Sequence, residues 1–199
     1  MALSCSTARI TESWRNPEYK DYQPNKVLIL GVTPNLTARK IYEEKLKTVL
    51  INKGIEADES HNVFKTSFTN LKQSEDEIQE QIETLSRKGF DAILISTVKG
   101  YDERISFGGD LYRKDDDLMQ FGSYYYSYQN VYFNERIYEE YKVYHIEISL
   151  YNLINDTEKS LVWVASYDII DPQRINATIK DCVNAIVESL EEEGIIPVN

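Results

Sequence analysis

Two histidines, His61 and His145, are the only imidazoles, and neither has a second base or ligand at helical or turn spacing. A zinc pair or a Ser-His-Asp set therefore has no footing here, and satisfied structural histidines are the expectation. Asp115-Asp116-Asp117 lines up carboxylates, but the spacing fits no EF-hand loop, so a solvated acidic turn is expected and no metal. No Gly-rich phosphate loop and no GxSxG elbow occurs. Thr33, Asn35 and Thr37 follow an apolar run ending at Gly31-Val32, the place where open α/β sheets bind ligands. That loop lacks the glycines that let a pyrophosphate approach the backbone, so turn and cap roles are expected there. Glycan hydrolysis needs only two carboxylates. With 33 acidic residues the sequence nominates no pair. The expectation is a non-enzymatic chain without a cofactor.

The tyrosines are the unusual chemistry. Of the 15 in the chain, most fall between Tyr101 and Tyr151, among them Tyr112, Tyr124, Tyr125, Tyr126, Tyr128 and Tyr132. Tyrosine offers a large contact area at low entropic cost with a polar tip, which suits recognition of proteins or glycans. Those six are the candidate partner contacts. The alternative is an extended hairpin that covers one sheet face.

Composition limits the partners. The 199 residues carry 33 acidic against 22 basic side chains, a formal net charge of −11. Nucleic acid is excluded, because a binder needs a basic stripe to neutralise phosphates. Adsorption of the bare surface to anionic lipid is disfavoured for the same reason. The charge is uneven: residues 1–26 sum to +1 and the rest to −12. Residues 1–25 also lack an apolar period and hold Pro17 and Pro24, which reads as a flexible arm ahead of one domain at 26–199.

Two cysteines provide no disulfide framework. Cys182 lies among Ile179, Val183 and Ile186 at helical spacing, as a buried apolar residue would. Ala2-Leu3-Ser4-Cys5, followed by Ser6 and Thr7, looks like the end of a bacterial lipoprotein signal, with Cys5 the acylated residue. Such signals also have a basic start and an apolar run of about 7–15 residues, so an extension encoding these is expected ahead of Ala2. A lipid on Cys5 would leave residues 6–25 as a tether of at most about 70 Å. No apolar run approaches the roughly 20 residues of a membrane-spanning helix.

The elements that must position these residues follow from periodicity. Val27-Leu28-Ile29-Leu30-Gly31-Val32 suits a strand buried on both faces. Ala38, Ile41, Tyr42, Leu46, Val49 and Leu50 predict a helix, with Arg39, Lys40, Glu43, Glu44, Lys45 and Lys47 on its other faces and Gly54 as its stop. Residues 55–60 predict a short strand. Ser74-Glu75-Asp76-Glu77 is a capping box opening a helix that Gly89 ends. Residues 91–98 predict a second buried strand. This βαβαβ pattern implies a parallel core, in two or three layers. Alternation from Tyr144 to Tyr151 and the run Leu161–Tyr167 predict an antiparallel hairpin around Asn155–Lys159. Asp171-Pro172 starts a C-terminal helix that runs to Gly194, with Glu191, Glu192 and Glu193 as a solvated tip. Residues 101–141 read as a Tyr-rich insertion.

Ser13-Trp14-Arg15-Asn16-Pro17 ahead of Lys26–Val32 resembles the opening of small bacterial cell-envelope lipoproteins of uncharacterised function. The resemblance continues through Arg39 with Glu43 and Glu44, Lys53–Ala57, Gly89–Leu94 and Leu161–Ala165. It implies an α/β domain anchored by lipid, facing the periplasm, at the outer membrane sooner than the inner. An accessory or assembly role is implied, with an envelope protein or glycan as partner, and no reaction. The alternative is a small-molecule or nucleotide-binding α/β domain that uses the loop after the first strand.

Overall fold

Val27, Leu28, Ile29, Leu30 and Val32 are all buried, so the first apolar run is the strand, buried on both faces, that its composition predicts. In this computed structural model, which describes residues 8–101, 105–106, 120–133, 143–154, 160–170 and 175–198, it is β2 (Lys26–Val32). Parallel partners flank it on both sides, β3 (Glu56–Glu59) and β4 (Ala92–Tyr101). The hairpin is β6 (Val143–Asn152) and β7 (Leu161–Ile170), antiparallel to one another, with β6 also antiparallel to β4. With β1 (Ala8–Arg15) on β7, the sheet runs β1-β7-β6-β4-β2-β3, and the two-residue β5 (Ile105–Ser106) pairs with β4. The fold is α/β.

Helices cover both faces. Gly31 meets side chains of α1 (Leu36–Asn52), so β2's odd residues and their register partners Ala92, Leu94 and Ser96 share that face. Tyr42 of α1 bonds Ser96 there, and Tyr167 donates to the Ala185 carbonyl of α6 (Ile175–Glu192) at 3.4 Å. The opposite face carries Thr97, Lys99, Glu147 and Tyr151. It is covered by α5 (Phe121–Tyr128), whose Gly122 lies against Ile78 and Ile82 of α4 (Glu75–Arg87). Three layers result, with α1 and α6 on one side and α4 and α5 on the other.

Local chemistry sets the element ends. Ser74 and Glu77 form the predicted reciprocal capping box. Gly54 and Gly89 end α1 and α4 at φ of 80° and 81°, a backbone region costly for any side chain with a Cβ. Asp91, buried just before β4, accepts from the Asn25 amide at 2.8 Å and the Lys26 amide at 2.9 Å, which fixes the start of β2. Cys182 is buried, and desolvation pushes its thiol up to about 12, so it packs as an inert apolar residue.

Three expectations change. The segment 1–25 is not wholly an arm: residues 8–15 are the edge strand β1, and Asn16 continues the attachment through its amide to the Val162 carbonyl at 2.9 Å. A bulge between Ile10 and Glu12 breaks the period of two, so Ile10, opposite Tyr167, and Trp14, opposite Val164, fall on opposite sheet faces. That phase change hid the strand. The Tyr-rich segment supplies a helix, α5, and a 3₁₀ helix, Gln129–Phe133, in place of a hairpin. Finally, the acidic tip of α6 is not wholly solvated, because Glu191 pairs with Lys53 at the end of α1. Cys5, Tyr112, Asp115–Asp117, the Asn155–Lys159 turn and Asp171-Pro172 lie outside the described residues.

Candidate functional site

The five described tyrosine candidates, Tyr124, Tyr125, Tyr126, Tyr128 and Tyr132, do not share a surface. Phe121, Tyr124, Tyr125 and Tyr128 recur at the spacing of one helix face, and packing α5 on the sheet buries all four. Tyr125 stacks on Phe68 of the short helix α3 (Thr66–Asn70), ring centroids 5.1 Å apart, and donates to the Phe68 carbonyl at 3.3 Å. Tyr124, Tyr125 and Tyr128 are therefore core residues and no contact patch, Tyr132 is half-buried, and Tyr126 alone of those described is exposed. The helical spacing was the available signal. A tyrosine count conceals it.

The loop after β2 also resolves into structure. Asn35 is the N-cap of α1 and accepts from the Ala38 amide at 2.9 Å, while Thr33 Oγ1 accepts from the Asn35 amide at 3.3 Å. Thr37 is exposed. The Thr33 and Asn35 side chains thus serve the turn and the cap.

A polar cluster does form next to that loop, at the carboxyl ends of β2 and β3. Arg39 and Glu43, which the helical pattern places among the solvent-facing charges, are 5% and 0% exposed. Their numbering shows why: 39, 43, 46 and 50 lie on one helix stripe, so both charges extend the line of Leu46 and Leu50. Glu43 Oε1 accepts from the Gly31 amide at 2.9 Å and the Ser60 hydroxyl at 2.7 Å, and Oε2 accepts from the Ser60 amide at 3.1 Å. Ser60 opens the one-turn helix α2 (Ser60–Val63), so a single carboxylate joins β2, α1 and α2. His61 faces carboxylates with both nitrogens, Nδ1 at 3.4 Å from Glu43 and Nε2 at 3.2 Å from Glu59. The Arg39 stem crosses Gly31, where an added Cβ would lie 3.1 Å from its Cγ, and its guanidinium sits 5.6 Å from the Tyr132 ring centre.

Burial raises the Glu43 carboxyl above its ordinary value of 4.5, against hydrogen bonds from Gly31 and Ser60 and the charge of Arg39. A carboxyl with a raised folded pKa binds its proton more tightly in the folded chain than in the unfolded one. Its stabilising contribution is therefore complete below the ordinary value and is lost as pH rises through the folded value. Urea unfolding of wild type and Glu43→Gln from about pH 4 to 8 is expected to show wild type losing stability relative to the variant as pH rises. A pH-independent difference would contradict this linkage.

A second buried cluster lies on the opposite face. Lys99 pairs with Glu147 at 3.2 Å, contacts the Tyr128 hydroxyl and lies 3.7 Å from that ring's centre, while Tyr124 donates to Glu147 at 2.6 Å. His145 Nδ1 lies 2.6 Å from Asp168 across β6 and β7. These groups hold one another. Among the described residues no group of His, Cys, Asp and Glu could hold a metal, and no helix is long and apolar enough to cross a membrane.

No protein-family profile matches the chain, and no curated protein matches it. Among solved structures it is similar to the PelC dodecamer from Paraburkholderia phytofirmans, at 12% identity and a TM-score of 0.46, over 94% of this chain and 96% of that one. It is also similar to the lipoprotein GNA1162 from Neisseria meningitidis, at 15% identity and a TM-score of 0.42, over 85% of this chain and 99% of that one.

Proposed function

We propose that this chain is a non-enzymatic accessory domain of the bacterial cell envelope, held at the membrane through a lipid on Cys5. It faces the periplasm and binds another envelope protein with the end of the sheet where β2 stops. The observation that carries the contact surface is the placement of exposed apolar side chains. Leu36, Leu71, Tyr126 and Phe133 are exposed, and the segments that bear them meet around the 3₁₀ helix Gln129–Phe133. The Gln73 amide donates to Gln129 Oε1 at 2.7 Å, Gln129 Nε2 donates to the Tyr126 carbonyl at 3.3 Å, and Tyr132 reaches Arg39 one turn past Leu36. Leucine and phenylalanine exposed beside a tyrosine suit a protein partner.

The anchor is supported by Cys5 behind Ala2-Leu3-Ser4 and by the charge distribution, since a −12 body needs a covalent tether to stay at an anionic membrane. With β1 seated on the sheet, the segment ahead of residue 8 is what separates Cys5 from the domain. The native locus should place the wild-type protein in the membrane fraction and Cys5→Ser in the soluble fraction. Leu71→Glu with Phe133→Glu should fold normally and lose the envelope protein that cross-links to wild type. Unchanged fractionation removes the anchor, and unchanged cross-linking removes this end as the contact. Recovery of a glycan in place of a protein overturns the partner class.

A further inference from the structure

The Arg39 side chain is 5% exposed, yet its Nε and Nη1 have no hydrogen-bond partner among the described residues. Glu43, whose charge acts on it, has both oxygens engaged by Gly31, Ser60 and His61. Leaving two buried donors of a guanidinium unpartnered is expensive, because those N–H groups forfeit their hydration without a hydrogen bond in return. The Tyr132 ring lies against this guanidinium, a cation–π contact that uses its charge and satisfies none of its N–H groups. Either fork of a guanidinium, Nε with Nη2 or Nη1 with Nη2, includes one of the two unpartnered nitrogens.

The backbone at the start of α1 favours negative charge. Arg39 belongs to the second turn of α1, and helical side chains lean toward the N-terminus. There Asn35 occupies the Ala38 amide and its carbonyl accepts from the Arg39 amide, while Leu36 and Thr37 sit at the first positions, whose amides have no intrahelical acceptor. The helix is 17 residues long, so its N-terminus carries the full positive end of the backbone dipole. Gly31 makes room for the Arg39 stem at the end of the strand.

We propose that this corner, the Arg39 guanidinium with the first turn of α1, is a binding site for a small oxyanion, the carboxylate or phosphate group of a ligand. The site differs from the Thr33, Asn35 and Thr37 set, of which Thr33 and Asn35 hold the turn and cap. It is also independent of the lipid anchor and of the apolar contact, since purified full chain suffices to test it.

Thermal unfolding of the full chain is measured with inorganic phosphate, with acetate, and with chloride at matched ionic strength. Phosphate or acetate at about tenfold over its Kd is expected to raise Tm by about 3–6 °C relative to chloride. Arg39→Met removes the buried charge and should abolish the rise, and Arg39→Lys, which keeps the charge without the fork, should weaken binding about tenfold. A response to phosphate alone assigns a phosphate group, and a response to acetate alone assigns a carboxylate. No rise over chloride in wild type, or a rise retained by a folded Arg39→Met, overturns the site. Should Arg39→Met fail to fold, an unweakened response in Arg39→Lys overturns it equally.

Discussion

Tyr125→Ala is expected to destabilise the fold by about 3–5 kcal/mol, the range for truncating a large buried aromatic. The side chain is 1% exposed, with its ring stacked on Phe68 and 5.9 Å from that of Phe121. Its removal would open a cavity between α5 and α3. The hydroxyl bond to the Phe68 carbonyl would also be lost. At about 2–4 °C for each kcal/mol, Tm should fall by about 6–20 °C. Tyr126→Ala, one residue along, is the control: its side chain is 45% exposed, and the effect should stay within about 0.5 kcal/mol. Urea unfolding of the two variants side by side checks the pair. Similar losses would mean that α5 does not present the face described. The contrast also bears on any test of the Tyr-rich segment as a contact surface. Replacing Tyr124, Tyr125, Tyr126 and Tyr128 together would abolish binding by unfolding the chain, so such a result would say nothing about a partner.

The second large effect concerns the buried pair on the same face. Lys99→Met leaves the Glu147 carboxylate, 3% exposed, with the Tyr124 hydroxyl and without its cation. Removing one member of a buried ion pair costs about 3–5 kcal/mol, because the remaining charge cannot recover its hydration. Lys99→Met with Glu147→Leu should recover most of that loss, since an apolar pair of similar volume avoids the desolvation altogether. A double-mutant cycle in urea measures the coupling. A loss below about 1 kcal/mol for Lys99→Met would mean that the carboxylate reaches water instead. Lys99 and Glu147 are register-adjacent through Thr97, on strands that lie far apart in sequence.

The α/β fold was legible wherever burial follows a pattern. Val27–Val32 announces a strand covered on both faces, Ser74 with Glu77 announces a helix start, and the alternation after Tyr144 announces a strand with two unlike faces. Where burial is not periodic, the pattern misleads. β1 carries a bulge that moves Ile10 and Trp14 to opposite faces. In α1 the charges Arg39 and Glu43 stand in phase with Leu46 and Leu50, and composition assigns them to water when packing assigns them to the core. The tyrosines of α5 look like a recognition surface by type and like a core by spacing, and packing decides for the core.

The chain alone therefore determined the βαβαβ core, the antiparallel hairpin, the C-terminal helix and the acidic balance. Those properties depend on local propensity, on period and on net charge, each of which is additive along the chain. The tertiary structure decided which polar groups are buried and which of them hold one another. It brings Glu43 to Ser60, Lys99 to Glu147, and Arg39 beneath Tyr132 with two donors unanswered. The desolvation of a charge depends on everything packed around it, and a residue's own neighbours in sequence are a small part of that.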